Sequence, residues 1–283
     1  MKYILTALIA GGLAAACTTP PPPAPSDPAA LLPIETTTTA AAAPTAPAEP
    51  VAPEDFDYDS VFGEDDRPAT DYEQYEVRKS KDVLAFTGAA PGMTVVDLEA
   101  GGGLYTELLS RVVGDTGQVY MQNPPAFDAF LGDAVEKRVD GRLANVTKVR
   151  APFDDLSAVP DDSADLVTWL LGPHELWYTP DGAEPGALGD PEGAFAEIAR
   201  VTRPGGAFVV LDHMAPAGAP ATTGGETHRI DKAIVIAMAE ANGFTLTEES
   251  GLLANAEDDG SLNVFDPAIR RKTNRFLLRF TKD

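Results

Sequence analysis

Asp97, Glu99, Gly101, Gly102 and Gly103 are one set of residues in this 283-residue chain whose types and spacing could do chemistry. The run Thr94 to Asp97 is apolar and β-branched and ends in an acid, as a buried parallel strand does. Three glycines follow, and Leu104, Leu108 and Leu109 then recur at helical spacing. Strand, glycine turn and helix form the first unit of a nucleotide-binding α/β domain. Backbone without Cβ atoms lets a ligand approach, and the helix start offers free N–H groups. No Gly-Lys-Ser/Thr follows, which excludes the phosphate-cradling P-loop. The third glycine of a dinucleotide site is also missing, because Thr106 stands three residues after Gly103. The second set is the chain's three histidines, His174, His213 and His228. His213 beside Asp212 could be an oriented base, and Arg229 next to His228 could bind an anionic substrate. Trp177 and Tyr178 either pack the loop that carries them or stack on a substrate. The histidines could group with Asp212 and Glu175 around a cation, but no HExxH or HxH spacing supports this, so no metal is expected. No Gly-x-Ser-x-Gly occurs, which disfavours a serine hydrolase.

The elements that must hold these residues follow from periodicity and punctuation. Asp71 to Phe86 carries Tyr72, Tyr75, Val83, Leu84 and Phe86 on a helical pattern that stops near Gly88 and Pro91-Gly92. A second strand, Val119 to Met121, is stopped by Asn123-Pro124-Pro125, and Phe127 to Val139 reads as a helix. Val146 to Val149 is the third strand, and Ala164 to Leu171, the most apolar, is the fourth. Glu192 to Val201 is a helix, Ala207 to Leu211 a fifth strand, and Thr227 to Asn242 a helix stopped by Gly243. Phe244 to Glu248 and Arg275 to Phe280 are the last two strands. Strands alternating with helices imply a parallel sheet covered on both faces. The histidines then all fall after strands four and five, on one rim.

Composition sets the bounds. The chain is 44% hydrophobic, enough for one full core. A formal net charge of −23 repels nucleic-acid phosphates and anionic headgroups, so neither is expected as a partner. The single cysteine, Cys17, excludes an internal disulfide and a cysteine-based zinc site. Residues 1–17 have Lys2, an apolar stretch and a small-residue run before Cys17, as a bacterial secretory signal does. They resemble lipoprotein signals, which implies cleavage before Cys17, lipidation on it and, with Thr18 following, an outer-membrane destination on the periplasmic side. Residues 18–66 read as a linker, Pro/Ala/Thr-rich and unable to bury enough surface to fold up to about Pro53, then acidic and turning into the domain edge. Phe56, Tyr58 and Phe62 are its possible docking points. The folded domain is expected over 67–283.

Several words of the sequence resemble a family of predicted class I S-adenosyl-L-methionine (SAM)-dependent methyltransferases, many of them exported. They are Arg78-Lys79, Gly101-Gly102-Gly103-x-Tyr105-Thr106-Glu107, Tyr120-x-Gln122-Asn123-Pro124, His174-Glu175-Leu176-Trp177-Tyr178, Asp212-His213 and His228-Arg229-Ile230-Asp231. The resemblance implies a Rossmann-like α/β sandwich of seven strands and SAM bound over strands one, two and four. Backbone at Gly101 to Gly103 would then lie against the amino-acid and ribose portion, and Asp97 would hold the turn or reach the ligand ammonium. Glu99 replaces the first glycine of the family pattern, and either pairs with that ammonium or fills the pocket. Gln122 and Asn123 stand where an acid usually meets the ribose. Phe153 and Asp154 fall where an adenine platform and its N6 acceptor usually lie. His174, His213 and His228 would supply a base, with Trp177, Tyr178 and Arg229 on the substrate side. The implied function is methyl transfer to an unknown acceptor, more readily a small molecule than a protein. The competing reading is an inactive lipoprotein of the same fold that binds a small ligand or a protein, and Glu99, Gln122 and Asn123 discriminate between the two.

Overall fold

Val96 and Leu98 face one side of the opening strand and Val95 the other, and all three are buried, so this strand has a core on both faces. The structure is a computed structural model that describes residues 56–63 and 66–283. Cys17, the expected signal and most of the expected tether lie outside the described residues. Seven strands form one sheet: β1 Thr94–Leu98, β2 Gln118–Asn123, β3 Val146–Arg150, β4 Ala164–Leu170, β5 Thr202–His213, β6 Phe244–Ser250 and β7 Arg275–Lys282. Their order is β3-β2-β1-β4-β5-β7-β6. The first five pair parallel, but β7 runs antiparallel to both β5 and β6. The all-parallel sheet expected from the alternation is corrected to a mixed one. Between β6 and β7 no crossover helix intervenes, so the chain returns in the opposite direction.

The helices are α1 Ala69–Arg78, α2 Ser80–Thr87, α3 Leu104–Val113, α4 Asp128–Leu131, α5 Ala134–Val139, α6 Pro191–Val201, α7 Thr223–Thr227 and α8 Lys232–Ala241. Two helices expected to be continuous are broken, and a third starts late. Lys79 at φ 47° splits α1 from α2 and Gly132 at φ 55° splits α4 from α5, while His228 at φ 54° ends α7 and delays to Lys232 the helix expected from Thr227. Periodicity reads through a single left-handed residue, because the apolar positions on either side still face the core. Asp231 then caps α8 by accepting from the Ala233 N–H. Residues 56–63 belong to the domain edge: Tyr58 and Val61 are buried in one core, and the Tyr58 hydroxyl donates to the Ala89 carbonyl. Among the described residues no helix is long and apolar enough to cross a membrane.

A buried ion network fixes the glycine turn. Glu107 on α3 accepts from Arg138 at 2.6 Å, Arg142 at 2.9 Å and Arg111 at 2.8 Å. Arg138, on α5, also forks onto both oxygens of Asp71 of α1, and its Nε donates to the Gly102 carbonyl at 2.9 Å. One guanidinium, that of Arg138, thus ties α1, α3 and α5 together and holds the turn.

Candidate active site

The turn after β1 is built from its neighbours inward. Glu99 takes φ 51°, the backbone a glycine would ordinarily supply, and its N–H donates to the Gln122 side-chain oxygen at 2.9 Å. Asn123 brackets Gly101, accepting from its N–H at 2.8 Å and donating to its carbonyl at 3.1 Å. The other end of Gln122 donates to the Ala151 carbonyl. Both amides, expected at the ribose, are engaged by main chain and hold the turn. Gly101 itself, at φ 57°, faces open space, where an added Cβ would meet nothing within 4 Å. Gly103 is different: a Cβ there would press on Arg138 and Met121.

A cavity of about 750 Å³ lies over this turn, lined on one side by Asp71, Gln74 and Arg78 of α1 and on another by Asp133, Lys137 and Arg138. It continues past Glu99 to His174, Glu175 and His213. Asp97 lines it but is 2% exposed, with its oxygens accepting from Thr106 at 2.7 Å and Thr168 at 2.9 Å. Burial raises its pKa to about 6 against the pull of those two hydroxyls. Its geometry is that of a clamp between β1, β4 and α3. Glu99 points aside: its Oε2 accepts from Trp169 Nε1 on β4 at 2.9 Å. Gly172 makes that pairing possible, because a Cβ there would collide with Trp169 Nε1 and Glu99 Oε2. Burial, with the nearby Glu175 charge, pushes the Glu99 carboxyl well above its usual range.

The three histidines converge beyond Glu99. The His174 ring lies 5.3 Å from that of His228 and 6.0 Å from that of His213. Asp212, at the end of β5 and wholly buried, is the anchor. It accepts from His174 Nδ1 at 2.7 Å and from the backbone N–H groups of His174 and His213. His174 Nε2 faces Glu175 Oε1 at 3.3 Å. Burial opposes a charge on His174, yet Asp212 and Glu175 overcome it and push its pKa up to about 10. His213 goes the other way. Its burial, with the His174 charge beside it, holds it well below the usual range, so it is neutral near pH 7. Its Nδ1 pairs with Thr273 Oγ1 at 2.7 Å. Tyr178 covers His228 at 4.7 Å between ring centres, and Phe265 lies on it at 5.0 Å.

Other expected site residues sit apart from the cavity wall. Phe153 is wholly buried and packs on Trp169, and Asp154 accepts from the Asp190 N–H at the start of α6, so neither lines the cavity. Arg229 is not available to an anion. It is wholly buried, forks onto Asp258, and donates to the carbonyls of Leu262 and Met214. Trp177 packs against α7, where Gly224 and Gly225 leave room for it. Sequence reasoning missed Arg78 and Asp133 as cavity residues. Arg78 was visible only as part of the Arg78-Lys79 word, and nothing in the spacing places α1 across the mouth of the sheet.

The comparisons agree with this architecture. Residues 96–210 match the family model described as "Methyltransferase domain". The ubiquinone/menaquinone biosynthesis C-methyltransferase UbiE of Shewanella halifaxensis is 35% identical over 130 residues, 46% of each chain. The chain spans about half the length of the curated relatives it matches. Among solved structures, a SAM-dependent methyltransferase from Aquifex aeolicus aligns with TM-score 0.53 and 19% identity over 81% of this chain and all of that one. The [4+2]-cyclase SpnF aligns with TM-score 0.54 and 17% identity, over 78% and 84%. The described domain therefore has the fold of class I SAM-dependent methyltransferases, and its residues 96–210 resemble a methyltransferase domain. The family match ends at Val210, before His213 and His228.

Proposed function

We propose that this chain is a SAM-dependent methyltransferase acting on a small-molecule acceptor, exported and held at the outer membrane through a lipid on Cys17. The observation that carries the catalytic half is the position of Glu99. Its carboxyl is drawn to Trp169, which leaves about 750 Å³ of cavity over the glycine turn, within the range of small-molecule sites. The residues fit the ligand at its amino-acid end. Gly101 offers backbone with open space above it, and Arg78 on the facing wall is a cation suited to a carboxylate. The acid usual at the ribose is absent from the end of β2, and Asp133 is a carboxylate on the same cavity wall.

When bound, SAM supplies an electrophilic methyl group, which passes to the acceptor heteroatom or carbon. The chain's own part is to position the acceptor and take its proton. His213 suits the second task, being neutral, beside the cavity and engaged at Nδ1 by Thr273, which leaves Nε2 for the proton. The test is thermal unfolding of the full chain with SAM and with S-adenosylhomocysteine. At a hundredfold excess over Kd, binding is expected to add about 2.7 kcal/mol, a rise of roughly 5–10 °C. A flat response at millimolar ligand defeats the proposal.

The lipid anchor rests on the sequence around Cys17. Cys17→Ser is expected to move the protein from the membrane fraction to the soluble one. Unchanged fractionation would remove the anchor and leave the catalytic reading standing.

A further inference from the structure

From the convergence of His174, Glu175 and His228 we infer a binding site for a divalent transition-metal cation beside the cavity. Each of the three offers a ligand atom, and all of these lie within 4.8 Å of one another. Two separations are tighter: His174 Nε2 to Glu175 Oε1 is 3.3 Å, and His228 Nδ1 to the same oxygen is 3.5 Å. Ligands at about 2.0–2.1 Å from a tetrahedral ion stand roughly 3.4 Å from each other. The edges of a coordination shell are therefore already formed.

The surroundings make the same point. Asp212 accepts from His174 Nδ1, which fixes that imidazole so that Nε2 points at Glu175. This carboxylate–histidine arrangement is how proteins orient a metal-binding imidazole. Asp212 is otherwise saturated by two backbone N–H groups, so it serves as the support and not as a ligand. A second proton on His174 satisfies Nε2 and one oxygen of Glu175. It leaves Glu175 Oε2 and His228 Nδ1, both buried, without a hydrogen bond. A buried polar atom left so has lost its water without a partner in exchange. A cation between the three side chains takes the lone pair of His228 Nδ1 and counters the Glu175 charge. Two imidazoles and one carboxylate suit a first-row transition ion and not magnesium or calcium, which prefer oxygen. His174 and Glu175 also line the cavity, so the ion would stand at its edge. The ligands are split between the segment after β4 and the end of α7, with Glu175 adjacent to His174 in sequence. No short-range metal spacing exists to be read.

The inference does not depend on SAM. Its test uses the untagged full chain, stripped with a chelator and titrated with Co²⁺ alone. One Co²⁺ per chain is expected, with visible d–d absorption that Zn²⁺ abolishes by displacement. His228→Ala and Glu175→Gln are each expected to weaken Co²⁺ binding by at least about a hundredfold while still unfolding cooperatively. X-ray absorption of the Zn²⁺-loaded wild type is expected to show imidazole and oxygen scatterers and no sulfur, which separates this site from Cys17 and needs no variant. Absence of stoichiometric Co²⁺ binding, wild-type affinity in both variants, or sulfur in the zinc shell would each overturn the site.

Discussion

Glu107→Gln is expected to cost the full chain about 3–5 kcal/mol of stability, the loss typical of breaking a buried ion pair from one side. The substitution keeps size and shape but removes the charge that faces Arg138, Arg142, Arg111 and, at 3.8 Å, Arg67. Arg138 keeps Asp71, but Arg67 and Arg142 lose their closest buried carboxylate. The defect should spread to the ligand site, because Arg138 Nε supports the Gly102 carbonyl. The pH dependence identifies the cause. Burial alone would raise the Glu107 pKa, but hydrogen bonds from Arg142 and Arg138 outweigh it and hold it below 4.5. A depressed folded pKa contributes stability that is complete above the unfolded value and lost as pH falls through the folded one. The wild type should therefore weaken in acid more steeply than Glu107→Gln, and the gap between them should narrow below about pH 4. Urea denaturation at pH 7 and in steps down to pH 3 measures both. A loss under 1 kcal/mol at pH 7 would mean that these charges are no more than a solvated surface cluster.

How much of this was legible in advance depends on whether a feature is local. The strand, glycine turn and helix at Thr94 to Arg111 were readable because each signal lies within a few residues: a β-branched run, missing Cβ atoms, leucines at helical spacing. The gathering of the histidines at one rim followed from strand order alone, since residues after β4 and β5 share an edge in such a sheet. Arg229 shows the limit. Its sequence neighbour His228 suggested a ligand role, whereas its partner Asp258 stands 29 residues away in an irregular segment without a repeat or motif. Gln122 and Asn123 were placed correctly at the end of β2. Their amides bond the turn and not a ribose, because the turn lacks side chains of its own to satisfy Glu99 N–H and Gly101 N–H. The direction of the Glu99 side chain needed two further facts, the indole of Trp169 on β4 and the missing Cβ at Gly172. The same fold in the [4+2]-cyclase SpnF is a reason to argue the chemistry from such side chains and not from the sheet.

Gly101→Val is expected to abolish the thermal shift given by SAM and by S-adenosylhomocysteine. Gly101 sits in the left-handed region with open space where a Cβ would be, so valine would place its methyl groups in the cavity. A β-branched residue at φ 57° also strains the backbone, at about 1–3 kcal/mol, and the melting point without ligand should fall by several degrees for that reason alone. The control is Gly141→Val. Gly141 has φ 71° and equally open surroundings but does not line the cavity, so valine there should carry similar strain without touching the ligand. That variant is expected to melt lower and still rise with SAM. The comparison separates a lost site from a weakened fold, because mass action raises the melting point of any variant that still binds. A Gly101→Val chain that keeps the full shift would place the nucleoside away from the turn. The open backbone between Glu99 and Gly103 would then be a matter of packing, and the cavity beside the histidines would need a different occupant.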